Sequence, residues 1–226
     1  MAMMRILISV FLFTILCSGS PAGASELSEL RAKAKSGDAV AQYDLGSFYY
    51  NQDSKGRRKI KDNQQAVLWY TKAAEKGHAN AQFGLGRMYV TGKGVAQDVE
   101  LGVSWQLKAA EQGLANAQFA IGKRYFLGVG LVQDHQQAQV MILKAAEQGL
   151  VGAQSQLGMI YFQGNEGIPR DLVQAHKWFN IASSSDDEPA KQYRSLLEEI
   201  MDQSQIEEAQ RLAKEWAAEH ETEQAN

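Results

Sequence analysis

Apolar residues recur along most of this chain at helical spacing, and the spacing itself repeats. Ala41, Leu45 and Tyr49 stand at i, i+4 and i+8, one face of an α-helix. The same trio returns as Ala81, Leu85 and Tyr89, as Ala117, Ile121 and Tyr125, and as Ala153, Leu157 and Tyr161. Each lies in a string A-Q-x-x-[LI]-G-x-x-Y, whose alanines step by 40, 36 and 36 residues. A second string, K-A-A-E-[KQ]-G, ends at Gly77, Gly113 and Gly149, and Asp62, Asp98, Asp134 and Asp171 each open the segment that leads toward its counterpart. A fixed period of this length marks a repeat architecture in which no unit buries its apolar face alone.

Each period reads as two helices. The first runs from about Ala41 to Asn51 in the first unit and stops at glycines such as Gly92 and Gly94 in the second, where a left-handed residue closes a helix. Asp98 and its equivalents are N-caps for the second helix, which continues through Trp105 and Ala109 to Gly113. Short connections make successive helices antiparallel. Gly46, Gly86, Gly122 and Gly158 predict backbones too close for a side chain, because a helix-interior glycine otherwise costs ~1 kcal/mol relative to alanine. Ala73, Ala109, Ala145 and Ala182 are the expected small partners on the second helices. At the ends, residues 25–38 read as a capping helix, 39–186 as about four repeats, and 187–226 as C-terminal capping helices with a polar tail. Ser204 and Glu207 have capping-box spacing for the last helix.

The first 24 residues follow a different pattern. Arg5 precedes an apolar run from Ile6 to Cys17, and Ala22-Gly23-Ala24 supplies small residues at a cleavage site. This is the layout of a secretory signal peptide, with Ser25 as the mature N-terminus. The run is shorter than the ~20 residues that span a bilayer, and no later segment is apolar enough to do so. A lipid-modified Cys17 is disfavoured by the bulky Leu16 before it. Cys17 is also the only cysteine, so the mature chain forms no disulfide. The expected location is periplasmic or secreted. The whole chain carries 23 basic and 26 acidic residues, a formal charge of −3. Removing Arg5 makes the mature charge −4, and nothing in the distribution suggests nucleic acid.

The repeated strings resemble Sel-1-like repeats (SLR), longer-loop relatives of tetratricopeptide repeats. The resemblance rests on A-Q-x-x-L-G-x-x-Y, on G-x-G-V before Asp98, and on A-x-x-W-Y-x-K-A-A-E-K-G ending at Gly77, and it covers Ala34 to Trp216. It implies an all-α fold, a right-handed superhelical solenoid of antiparallel helix pairs. It also implies a non-enzymatic adaptor in the bacterial envelope or outside the cell, binding another protein. The paired cysteines of relatives reported to handle β-lactams are absent, so an envelope hydrolase acting on β-lactams or peptidoglycan is the alternative reading. Departures are local: Gly102 replaces the alanine of Ala66, Ala138 and Ala175; Met141 replaces tryptophan; Arg124 stands where Met88 and Ile160 stand.

Searching for chemistry leaves little. His78, His135, His176 and His220 occupy unrelated repeat positions, none paired at metal-ligand spacing, and read as solvated surface residues. The G-x-G turns at Gly92 and Gly128 follow helices rather than strands, so turn geometry accounts for them. No metal or cofactor is expected. The remaining candidate is the outward face of the first helices, which in such solenoids lines the concave side. It comprises Asp44, Ser47 and Asn51; Gly84, Arg87 and Thr91; Ala120, Lys123 and Leu127; Gln156, Met159 and Gln163. This graded face would suit an extended peptide or a helix of a partner protein. A basic insertion from Lys55 to Lys61 is a second feature that could meet an acidic partner.

Overall fold

The structure, a computed structural model, describes residues 21–50 and 62–225, with side chains from 25 to 50 and 62 to 220. The apolar leader run, Asn51 and the basic insertion lie outside the described residues. Eleven helices account for almost all of the rest, and no strand occurs among the described residues. They are α1 (Pro21–Lys35), α2 (Ala39–Tyr50), α3 (Asn63–Glu75), α4 (Ala79–Thr91), α5 (Val99–Glu111), α6 (Ala115–Leu127), α7 (His135–Glu147), α8 (Val151–Gln163), α9 (Leu172–Ser183), α10 (Glu188–Ile200) and α11 (Gln203–Ala225). None of them is long and apolar enough to cross a membrane. The chain divides into two compact units, one up to Ala109 and one from Ala110.

Caps set the helix boundaries as the polar pattern predicts. The carboxylates of Asp62, Asp98, Asp134 and Asp171 each accept the backbone N–H three residues on, at 2.9–3.0 Å. Each such cap is worth ~1 kcal/mol. Gly77, Gly113 and Gly149, with φ of 81–85°, end the second helices, while Gly92 and Gly128 close α4 and α6 in the left-handed conformation. The last helix begins earlier than the Ser204–Glu207 spacing suggests. Asp202 caps it, accepting from Gln205 N–H at 2.9 Å, and Gln205 returns a bond to the Asp202 N–H at 3.2 Å. Aspartate two residues upstream outcompetes the serine, whose hydroxyl donates to that carboxylate at 2.6 Å.

In the first unit, Ala34, Ala41, Leu45 and Trp69 form one core patch under α1. Tyr70, Ala73, Ala74, Ala81, Leu85 and Met88 form the next. In the second unit, Ile142, Leu157, Ile160, Trp178 and Ala213 make one cluster, and Phe179, Leu197, Met201 and Ala209 make another beneath α10 and α11. The repeated glycines do mark the closest helix approaches. A Cβ on Gly46 would lie 2.6 Å from the Tyr70 ring, on Gly122 2.6 Å from Ile142 Cγ1, and on Gly158 2.8 Å from the Phe179 ring. The partner position is not the expected Ala73 set, although those alanines are fully buried. It is the residue three places earlier: Tyr70, Gln106, Ile142 and Phe179. Gly102 is likewise no weakened alanine. A Cβ there would sit 2.7 Å from the Gly86 carbonyl and 2.6 Å from Val90 Cγ2, so α4 and α5 cross backbone to backbone.

The glutamine of each A-Q string carries a role that sequence reasoning missed. Gln42, Gln82, Gln118 and Gln154 are buried. Their side-chain amides donate to the carbonyls of Ala34, Ala74, Ala110 and Ala146 at 3.0–3.4 Å. Each bond reaches back eight residues, clasping a first helix to the helix before it across the turn.

Candidate functional site

The predicted face starts from residues that the repeat signature leaves free, and the structure sorts them into distinct surroundings. In the first unit, Ser47, Gly84 and Arg87 gather around Tyr70 of α3. The hydroxyls of Ser47 and Tyr70 are 3.1 Å apart, and a Cβ on Gly84 would touch the Tyr70 ring at 3.2 Å. The Tyr70 phenol is pushed up to about 12, chiefly by burial; the Ser47 bond and the Arg87 charge work in the opposite direction. Tyr43 stacks on Tyr70 at 5.8 Å between ring centres, and His78 stacks on Tyr43 at 4.7 Å. These residues make one aromatic stack at the α2–α3–α4 corner, running from the half-buried His78 and Tyr43 inward to the buried Tyr70.

Arg87 is exposed, with its guanidinium 5.9 Å from the Phe83 ring one turn earlier. Lys123, at the same repeat position in the second unit, repeats that arrangement over Phe119 at 5.7 Å. Neither cation has a carboxylate partner among the described residues. A cation above a ring is held in place while its charge stays open to a ligand.

Other members of the predicted set are placed differently. Asp44 is half-buried and faces α1, lining a surface hollow with Glu26, Glu29, Asp38, Leu30 and Val40. Burial, helped by the Asp38 charge, raises its carboxyl above the usual range. Thr91 is exposed and turns its hydroxyl back to the Arg87 carbonyl at 2.8 Å. In the second unit Ala120 and Gln156 are half-buried, Gln163 is exposed, and Leu127 is 60% exposed. Met159 packs against the core cluster that contains Phe179 and Leu197. Gly84 and Met159 therefore serve packing more than an open face. Asn51 falls outside the described residues.

The histidines are not the solvated residues that their scattered positions suggest. His176 is completely buried, its Nε2 3.2 Å from the Glu198 carboxylate and its Nδ1 without a partner among the described residues. Burial pushes its imidazole below the ordinary value, with the Glu198 bond opposing. Arg194 lies beside the same carboxylate at 3.6 Å and donates to Ser183 Oγ at 3.0 Å, so the group ties α9 to α10. His78, half-buried, caps α4: its Nδ1 accepts the Ala81 N–H at 3.3 Å. Among the described residues no group of three His, Cys, Asp or Glu side chains is arranged to hold a metal.

Comparison with known proteins agrees with the repeat register. The Sel1 repeat model matches four consecutive segments, 39–78, 79–114, 115–150 and 151–187. Among solved structures the chain is similar to c5321 of Escherichia coli, described as a protective antigen present in uropathogenic strains and displaying an SLR fold. That likeness has 36% identity, a TM-score of 0.79, and covers 92% of this chain and 44% of c5321. This chain thus spans less than half of that relative. A Sel1 repeat protein from Oxalobacter formigenes is similar at 27% identity and a TM-score of 0.70, over 84% of this chain and 78% of that one. No curated protein matches. Four matched segments in register with four glycine crossings and four glutamine clasps establish that the chain belongs to the Sel1 repeat family, with the all-α helix-pair fold of its solved relatives.

Proposed function

We propose that this protein is a non-enzymatic adaptor, exported to the periplasm or secreted, that binds a segment of another protein along its first-helix faces. Sel1 repeat proteins generally mediate protein–protein interaction. The observation that carries the reading is that each unit presents an exposed, carboxylate-free cation at the same repeat position, Arg87 in the first and Lys123 in the second, each seated over a ring one turn earlier. On the first unit the half-buried Tyr43 lies over the buried Tyr70, whose phenol feels the Arg87 charge, and a partly exposed aromatic near an arginine is the composition of interface anchors. A partner with carboxylates and apolar or aromatic anchors fits that chemistry. The leader segment with its small-residue cleavage site supports export.

The direct experiment expresses the full chain with a C-terminal tag and determines its mature mass and location. The same material is then used as bait against envelope and medium fractions. The reading expects a mature chain that begins at Ser25 and a stoichiometric protein partner. Retention of Met1 in a cytoplasmic protein, or turnover of a peptidoglycan or β-lactam substrate, would contradict it.

A further inference from the structure

Five turns in this fold occupy the same place, between the end of one helix pair and the first helix of the next, and their cap residues are Asp38, His78, Leu114, Leu150 and Asp187. Asp38 and Asp187 accept a backbone N–H through a carboxylate, at 2.9 and 2.8 Å. Leu114 and Leu150 offer no side-chain bond. His78 caps α4 through Nδ1, at 3.3 Å from the Ala81 nitrogen. That bond requires a lone pair on Nδ1, and hence the neutral Nε2–H tautomer. A proton on Nδ1 removes the acceptor, and it also places a full positive charge at a helix N-terminus, where the backbone dipole disfavours cations.

The ring is also the end of an aromatic chain. It stacks on Tyr43 at 21° between planes, Tyr43 stacks on Tyr70 at 27°, and Tyr70 meets Ser47 and the Gly84 backbone. The titratable groups that face His78 from neighbouring elements are Asp38, in the turn before α2, and Tyr43, on α2. Asp38 favours the imidazolium, but its carboxylate is already held by the Ala41 N–H. Lys76, on the preceding helix end, turns to the Gly37 carbonyl.

We infer that His78 is a proton-sensitive cap, which holds the α3–α4 turn and the Tyr43–Tyr70 stack in one arrangement when neutral and releases the cap when protonated. Mild acid then alters the face that carries Arg87 before it affects any carboxylate cap. Burial supports the neutral state by lowering the imidazole below its ordinary value, so the change falls on the acid side of neutrality. The inference builds on the binding reading only for its consequence, and its test needs no partner, so either can fail alone.

The experiment is an NMR titration of the full chain from pH 7.5 to 5, following the His78 ring and the amides of Ala81, Ser47 and Gly84. The fold supplies its own controls, because Asp and Leu occupy the equivalent position in neighbouring repeats. In the wild type the three amides should move with the midpoint of the His78 ring. In His78→Asp the cap persists and that titration should vanish. In His78→Leu the Ala81 amide should rest at its uncapped position at every pH. Amides that hold still while His78 titrates would overturn the inference, as would an unchanged acid transition in His78→Leu. Movement of Ala81 without Ser47 and Gly84 would overturn the link to the Tyr70 stack.

Discussion

The second and third repeats bring their helices together at the same register position by different means. At Gly86 the approach is backbone on backbone, with the Gly102 carbonyl 2.6 Å from a would-be Cβ and Gln106 alongside. At Gly122 it is backbone against side chain: Ile142 Cγ1 lies at 2.6 Å and the Ala138 carbonyl at 3.1 Å. One glycine per repeat is thus the shared demand, and its partner is free to be a second glycine, an isoleucine, or the rings of Tyr70 and Phe179. A repeat signature specifies where the backbone must come close; the volume that meets it is settled locally.

The largest expected effect breaks the third-repeat crossing. Gly122→Leu drives a branched side chain into Ile142 and should cost about 2–3 kcal/mol, since overpacking a close contact forces backbone shifts. The loss should concentrate in helices adjoining the site, because repeat proteins are held by nearest-neighbour contacts. Chemical denaturation with an unchanged midpoint would remove the crossing from the account.

Next comes Gly102→Ala, which sharpens the comparison because helix propensity and packing disagree on its sign. Propensity alone favours alanine by ~1 kcal/mol, and three other repeats carry alanine there. The structure opposes it, with Val90 and the Gly86 carbonyl both inside 3 Å of the new Cβ. A net loss of about 1 kcal/mol or more in denaturation is expected, whereas a raised midpoint would show that α4 and α5 have room to part.

A smaller loss follows from opening one clasp. Gln154→Met keeps the volume but removes one bond to the Ala146 carbonyl, the 3.2 Å clasp, and leaves the Gly149 N–H at 3.0 Å, a loss of at most about 1 kcal/mol. Urea titration should show that loss, and an unaltered midpoint would mean that the Gly149 N–H satisfies the carbonyl without the clasp.

Acid supplies a test without a mutation. Burial lowers His176 in the folded chain below the 6.5 of a free imidazole, so the unfolded chain binds the proton more readily. The stability is therefore fully present above about pH 6.5 and is lost as the pH falls through that value toward the lower folded one. The denaturation midpoint should fall between pH 7 and 5, and less steeply in His176→Phe. An equal slope in the two proteins would place the acid sensitivity elsewhere.

How much of this was legible in the chain depends on the kind of interaction. The helix pairs, their aspartate caps and the glycine crossings repeat with the period, so Asp98, Gly122 and their equivalents could be read directly. The role of Gln118 was hidden because a buried glutamine bonded across a turn leaves no periodicity distinct from its neighbours. The repeated A-Q pair was the available signal, since a polar residue beside a core alanine in four repeats needs a partner. His176 was misread because a lone histidine carries no pattern, and only the packing of α10 over α9 buries it. The exposed face was legible as far as Arg87 and Lys123. It failed at Asp44, which α1 draws aside, and at Met159, which the C-terminal helices cover.

The central claim is that the first-helix cations receive the partner, and the association rate with the captured partner tests it most directly. Arg87→Glu combined with Lys123→Glu should slow association several-fold and reduce its salt dependence, with stability changed by less than about 0.5 kcal/mol. Lys144→Glu, an exposed lysine on α7, a second helix, is the control. Unchanged association in the double variant, with slowed association in the control, would contradict the claim and move the binding surface to the second helices.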